Sequence, residues 1–164
     1  MRRKDREISD IKGIEEILLM CKTCHVAMVD NGSPYVVPLS YGYRIFENSG
    51  EKNILELYFH SAREGRKIDV LRQNDKVCFE ISCEGEVVND DNSCNTGYYF
   101  SSVIGFGSAV FIEEESAKIE ALSVLFRHQT GRSVTFTPEQ AKTVTMFKIV
   151  SDDFTGKRKP RPGN

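Results

Sequence analysis

The chain contains no tryptophan, no apolar run long enough to cross a bilayer, and almost no net charge. A membrane-spanning helix would need about 20 consecutive apolar residues, so none is expected. With 22 basic and 24 acidic residues giving a formal charge of −2, there is no electrostatic case for a nucleic-acid or membrane partner. The opening MRRKDREISD has no apolar stretch behind its basic start, so no secretory signal is expected and the chain reads as cytoplasmic. Five cysteines is an odd number without framework spacing, and thiols stay reduced in that compartment, so disulfides are not expected. What remains, 40% hydrophobic and 28% charged over 164 residues, suits one globular domain with one core. Residues 1–155 read as that domain and 156–164 as a basic, proline-bearing tail.

One short motif argues for something else. Cys21-Lys22-Thr23-Cys24-His25 matches C-x-x-C-H, the pattern of covalent c-type haem attachment. Its context argues against that reading, because the motif falls where a helix should end and a strand begin. Zinc would need a second cysteine pair, and Cys78, Cys83 and Cys94 supply none at structural-site spacing. Cys21 and Cys24 are therefore expected to be small, partly buried apolar residues, and no metal site is expected.

The periodicities predict a mainly β chain. Ile11, Ile14, Leu18 and Leu19 put an amphipathic helix over Ile8 to Met20, with Asp10 as its cap. Asn31-Gly32 between β-branched and aromatic runs predicts a type I′ hairpin, and the sequon-like Asn31-Gly32-Ser33 is read as that turn. Strands follow at Ile54 to His60, Lys76 to Ser82 and Val144 to Val150. The run Tyr98 to Ile112 reads as one long, bent strand, with Gly105 and Gly107 marking a bend or a close backbone approach. A helix from Glu113 should stop at Gly131, carrying His128 near its C-terminus where an imidazole suits the dipole. Thr137-Pro138 starts one more helical turn, and Glu84 to Thr96 is a polar loop without calcium spacing. Tyr41 and Tyr43 fit core and surface partners of a strand, or a stack on an aromatic ligand. Together these predict a closed or partly closed antiparallel β-barrel with peripheral helices.

The most informative stretch is His60 to Leu71, HSAREGRKIDVL. Ser61 and Glu64 fit a capping box, which would start a helix at Ser61. Arg63, Arg66 and Lys67 would then share one face of its first turns, where cations oppose the macrodipole. A phosphate monoester held by backbone N–H groups, the Ser61 hydroxyl and these cations would resolve that conflict, as would simple solvation.

The segments PYVVPLSYGY, LYFHSAREGRKIDVL, VCFEIS and YYFSSVIGFGSA resemble, in order and spacing, the FMN-binding split-barrel proteins related to pyridoxamine 5′-phosphate oxidase. The resemblance runs from about Arg3 to Lys157 and is nearest the nitroimidazole-resistance branch. It implies an antiparallel Greek-key split barrel and a homodimer with FMN at the interface. By position, Ser61, Arg66 and Lys67 would hold the flavin phosphate, with His60 beside the cofactor as the candidate catalytic residue. Val37, Pro38, Leu39 and Ser40 would run along the ring, and Ser101 and Ser102 would reach it from the partner. The departures matter too. VVPLSY lacks the basic phosphate ligand that the oxidases carry on that strand, and their C-terminal tryptophan segment has no counterpart here. Pyridoxamine phosphate is thus a poor substrate expectation, and flavin-dependent reduction of small electron-poor molecules such as nitroimidazoles a better one. The alternative is a carrier or sensor holding flavin or haem without turnover.

Overall fold

In the computed structural model, which describes residues 3–47, 52–89, 93 and 96–159, the chain runs through twelve labelled elements. In order these are β1 (Glu7–Ile8), α1 (Ile11–Met20), β2 (Thr23–Asp30), β3 (Ser33–Ser40), β4 (Gly42–Phe46), β5 (Ile54–Ser61), α2 (Arg66–Gln73), β6 (Lys76–Val88), β7 (Gly97–Ile112), α3 (Glu115–Thr130), α4 (Pro138–Ala141) and β8 (Thr145–Lys159). The strands form one antiparallel sheet in the order β3-β2-β6-β7-β8-β5-β4, with β1 on β8. Because β5 pairs with β8 while β6 pairs with β2, the chain crosses between them through α2. The sheet curls into a barrel that stays open: β3 and β5 come close without pairing. This is the partly closed, mainly β barrel with peripheral helices that the periodicities predict, and the split barrel that the resemblance implies.

Local chemistry explains the joints. Asn31 and Gly32 both take positive φ, 48° and 83°, as a type I′ turn requires, and set Asp30 opposite Ser33. Asp10 caps α1 by accepting from the Gly13 N–H at 2.8 Å. Thr137 and Gln140 complete a reciprocal capping box at α4. Gly107 sits where a β-carbon would lie 2.5 Å from the Val150 carbonyl oxygen, and the β7–β8 register slips between Phe106 and Ser108. Close approach and bend thus coincide, and Ser151 seals the slip by donating to the Phe106 carbonyl at 2.7 Å.

Inside the barrel, Leu55, Leu57, Phe59, Phe79, Ile81, Phe147 and Ile149 are fully buried, with Phe59 and Phe147 stacked at 5.1 Å. Ile14, Ile17 and Leu18 of α1 plug one end.

Five sequence expectations need correction. Helix α1 starts at Ile11, because Glu7–Ile8 pair with Lys157 and Gly156 instead. The run after Asn31-Gly32, read through PYVVPLSYGY as one arm of the hairpin, breaks at Tyr41, so Gly42–Phe46 form a separate strand before Ile54–Ser61. Strand β6 continues through Val88, beyond Ser82. The tail read from residue 156 is strand as far as Lys159, paired with β7 and β1; residues 160–164 lie outside the described residues. Finally, Cys21 and Cys83 form a disulfide with their Cα atoms 5.1 Å apart, against the expectation of none. Residues 62 apart in sequence meet because α1 ends against β6, a juxtaposition that spacing cannot show. No helix among the described residues is long and apolar enough to cross a membrane.

His128 lies in the last turn of α3, as expected, and its ring is half-buried. Its Nε2 donates to the Cys21 carbonyl at 3.0 Å, and its ring packs on Tyr41 at 4.7 Å and Tyr43 at 5.3 Å. The two tyrosines thereby serve packing, and Tyr41, fully buried, donates to the Leu18 and Cys21 carbonyls. Burial, reinforced by the Lys22 ammonium, pushes the His128 pKa down to about 4. The unfolded chain then takes up the proton first, so this stability is fully present above about pH 6.5 and fades as pH falls toward the folded value. Between pH 7 and 4.5, urea unfolding should show wild type losing roughly 1–2 kcal/mol more than His128→Gln, a figure already reduced for solvent screening. Parallel losses in the two proteins would contradict it.

Candidate functional site

Strand β5 delivers His60 and Ser61 to its end, and period-2 alternation separates them: His60 is exposed, Ser61 only 8% so. The helix does not begin at Ser61. That residue is claimed by the ladder opposite Thr145, so no Ser61–Glu64 capping box forms. Gly65, at φ 133° and ψ 161°, makes the real break, a conformation that favours glycine. Helix α2 then starts at Arg66. Arg63 is left in the connecting loop, where its guanidinium donates to the Lys142 carbonyl, away from the other two cations.

What converges is smaller and sharper than the sequence grammar suggests. A hollow of about 350 Å³ is lined by Tyr35, His60, Ser61, Gly65, Arg66 and Lys67, among others. Helix α2 has no side-chain cap; the Ile68 N–H donates to the Gly65 carbonyl at 2.8 Å, which leaves the N–H groups of Arg66 and Lys67, both residues lining the hollow, without an acceptor among the described residues. Among the described residues the Ser61 hydroxyl makes no hydrogen bond; the residue is 8% exposed, and since no buried side-chain oxygen there lacks a partner, what remains open is the hydroxyl. Lys67 is half-buried, has no counter-ion among the described residues, and has its pKa lowered by desolvation alone. Arg66 is exposed and pairs through Nε with Asp30 Oδ2 at 2.7 Å, while its guanidinium lies 4.3 Å from the centre of the Tyr35 ring. Two cations, a spare hydroxyl and backbone N–H groups around one hollow are the kind of donors that an anion needs.

The other expected residues lie elsewhere. Val37 and Leu39 turn into the barrel and pack on its core, while Pro38 and Ser40 lie on the outer face opposite His25 and Thr23. Ser101 and Ser102 cannot face one way. Ser101 accepts from Arg158 Nε at 3.2 Å, whereas Ser102 lines an outer hollow of about 570 Å³ with Thr23, His25, Glu80 and Ser82. One chain therefore gathers His60, Ser61, Arg66 and Lys67, and leaves Ser102 in a second concavity.

Alternation also disposes of the C-x-x-C-H motif. Cys24 points into the core with no exposure, its thiol pKa pushed up by burial, while His25 points out and meets Glu80 at 3.1 Å. Cys21 is held by Cys83. Two cysteines and a histidine on opposite faces cannot grip one haem.

Sequence reasoning missed Asp30 and Tyr35. The turn signal locates Asp30 at a hairpin tip, but nothing local says that the tip reaches α2.

Comparison with known proteins agrees with this fold. A candidate 5-nitroimidazole antibiotic resistance protein from Bacteroides thetaiotaomicron is 33% identical over 93% of this chain and 86% of its own, with a TM-score of 0.77. The flavocytochrome Anf3 from Azotobacter vinelandii, 20% identical over 99% of this chain and 73% of its own, superposes with a TM-score of 0.76. The FAD and haem binding protein from Mycobacterium smegmatis, 17% identical over 95% and 74%, gives 0.75. At such identities the latter two show a shared fold alone. No protein of curated function matches. The sequence model of pyridoxamine 5′-phosphate oxidase matches residues 11–158, and on that span the chain belongs to the pyridoxamine 5′-phosphate oxidase family.

Proposed function

We propose that the chain is an FMN-dependent oxidoreductase reducing small, flat, electron-poor molecules, nitroaromatics such as 5-nitroimidazoles among them. The observation that carries the reading is the hollow beside α2. It offers the Ser61 hydroxyl, Lys67, Arg66 and uncapped N–H groups to one anion, and a flavin phosphate of about −1.5 to −2 charges fits that donor set. Bound there, flavin would supply the electron chemistry, and the barrel would supply position and exclusion of water. His60, exposed at the hollow's edge, is placed to hydrogen-bond the cofactor or hold a proton near it. The likeness to the 5-nitroimidazole resistance protein supports the substrate class.

The reading includes a homodimer. On the outer face, Val36, Ala27, Cys78 and Phe106 form one cross-strand row, with Val36 53% and Phe106 57% exposed. Exposed apolar side chains of this size are well covered by a second copy. The same contact would carry Ser102 of each copy toward the other's flavin. In a cytoplasmic setting, which the reading also adopts, the Cys21–Cys83 bond would face thiol reductants.

The test is anaerobic. Protein loaded with FMN and reduced with dithionite is mixed with a 5-nitroimidazole, and the flavin absorbance is followed. Recovery of the oxidised bands faster than with free reduced FMN is the expected result. Recovery no faster than free FMN would leave a binding module without this activity.

A further inference from the structure

The tip of the β2–β3 hairpin reaches across the open seam of the barrel, and Asp30 and Tyr35 both sit on the inner face of that hairpin. Their target is Arg66. Asp30, only 17% exposed at its side chain, accepts from Arg66 Nε at 2.7 Å and from Asn31 Nδ2 at 2.9 Å. The Tyr35 ring covers one face of the guanidinium at 4.3 Å. A carboxylate on the Nε edge and a ring on the face remove most of the rotational freedom of a long, exposed side chain. Among the described residues the two terminal nitrogens keep no acceptor.

From this geometry we infer that Asp30 and Tyr35 are positioning residues that hold Arg66 with its terminal nitrogens toward the hollow, and so make the site selective for a phosphorylated flavin over riboflavin. The inference rests on the phosphate reading of the hollow. Orientation before binding is what makes it effective, because an arginine already fixed loses little entropy when it grips a phosphate with two parallel N–H groups. Asp30 also works against itself. A carboxylate one guanidinium away from a phosphate repels it, so its orienting role and its charge act in opposite directions. Two substitutions separate them. Asn keeps an acceptor and removes the charge; Ala removes both.

The experiment is a fluorescence titration of cofactor-stripped protein with FMN and, separately, with riboflavin, for wild type, Asp30→Asn, Asp30→Ala and Tyr35→Leu. Thermal unfolding confirms that each variant is folded. Wild type should prefer FMN. Asp30→Ala and Tyr35→Leu should each lose about tenfold in FMN affinity, the worth of one lost orienting contact, with riboflavin unchanged within about twofold. Asp30→Asn should bind FMN as well as wild type or better. If Asp30→Ala binds FMN as tightly as wild type or more so, Asp30 is only a competitor of the phosphate and the inference is wrong. Equal losses for FMN and riboflavin would also overturn it, because they would mark a structural effect. If wild type itself does not prefer FMN, the phosphate reading falls, and this inference with it.

Discussion

Replacing Arg66 and Lys67 together by alanine should weaken FMN binding by about 10²–10³-fold, since two charge-assisted hydrogen bonds to a phosphate are worth about 3–4 kcal/mol together. Riboflavin, which has no phosphate, should bind wild type and double variant within a few-fold of each other. The fold should survive. Arg66 is exposed, Lys67 only half-buried, and alanine favours the first turn of α2. The one structural debt is Asp30, left mostly buried without its partner at a cost of about 1–3 kcal/mol. Titration by flavin fluorescence measures the binding, and urea unfolding measures the debt. A double variant that keeps wild-type FMN affinity would move the phosphate away from α2 altogether.

The second large effect concerns the disulfide. Cys21–Cys83 closes a loop of 62 residues, and constraint of the unfolded chain over such a length stabilises by about 4 kcal/mol in the chain-entropy picture. Cys83→Ser should therefore lower the midpoint of thermal unfolding by roughly 8–16 °C for a chain of this size. The folded state should still form. The end of α1 keeps Tyr41 on the Leu18 and Cys21 carbonyls, Lys22 on the Leu19 carbonyl, and His128 on Cys21. Dithiothreitol should bring wild type down to the midpoint of the variant and leave the variant where it is. A wild-type midpoint indifferent to reductant would mean that the bond contributes nothing.

These residues also show what a sequence can and cannot disclose. The Asn31-Gly32 turn was legible because both positions demand positive φ, which few residue pairs accept. Strand alternation was legible as well, and so was the close packing at Gly107. The start of α2 was not. S-x-x-E obeys capping grammar, but Ser61 had already been taken by β8 in a pairing made across 84 residues. Gly65 was the better signal, since only a break of helix and strand needs its backbone angles. Strand β8 was read too short because Gly156 and the basic residues after it resemble a tail, until β1 and β7 supply partners. In the candidate site, Ser61, Arg66 and Lys67, which the structure gathers around one hollow, were singled out through local charge and family resemblance. Asp30 and Tyr35 were not, because their contact with Arg66 is purely tertiary. Ser101 and Ser102, carried over as a pair, fall on opposite faces of β7, as adjacent strand residues must, Ser101 beside Arg158 and Ser102 in the outer hollow.

The most direct measurement is the visible absorption spectrum of the purified protein after incubation with FMN and removal of the excess, followed by acid precipitation. Flavin bands that stay with the protein and pass into the acid supernatant as FMN are the expected result. Protein that leaves the column colourless, or a Soret band retained in the acid pellet, would contradict a flavin phosphate held by Ser61, Arg66 and Lys67.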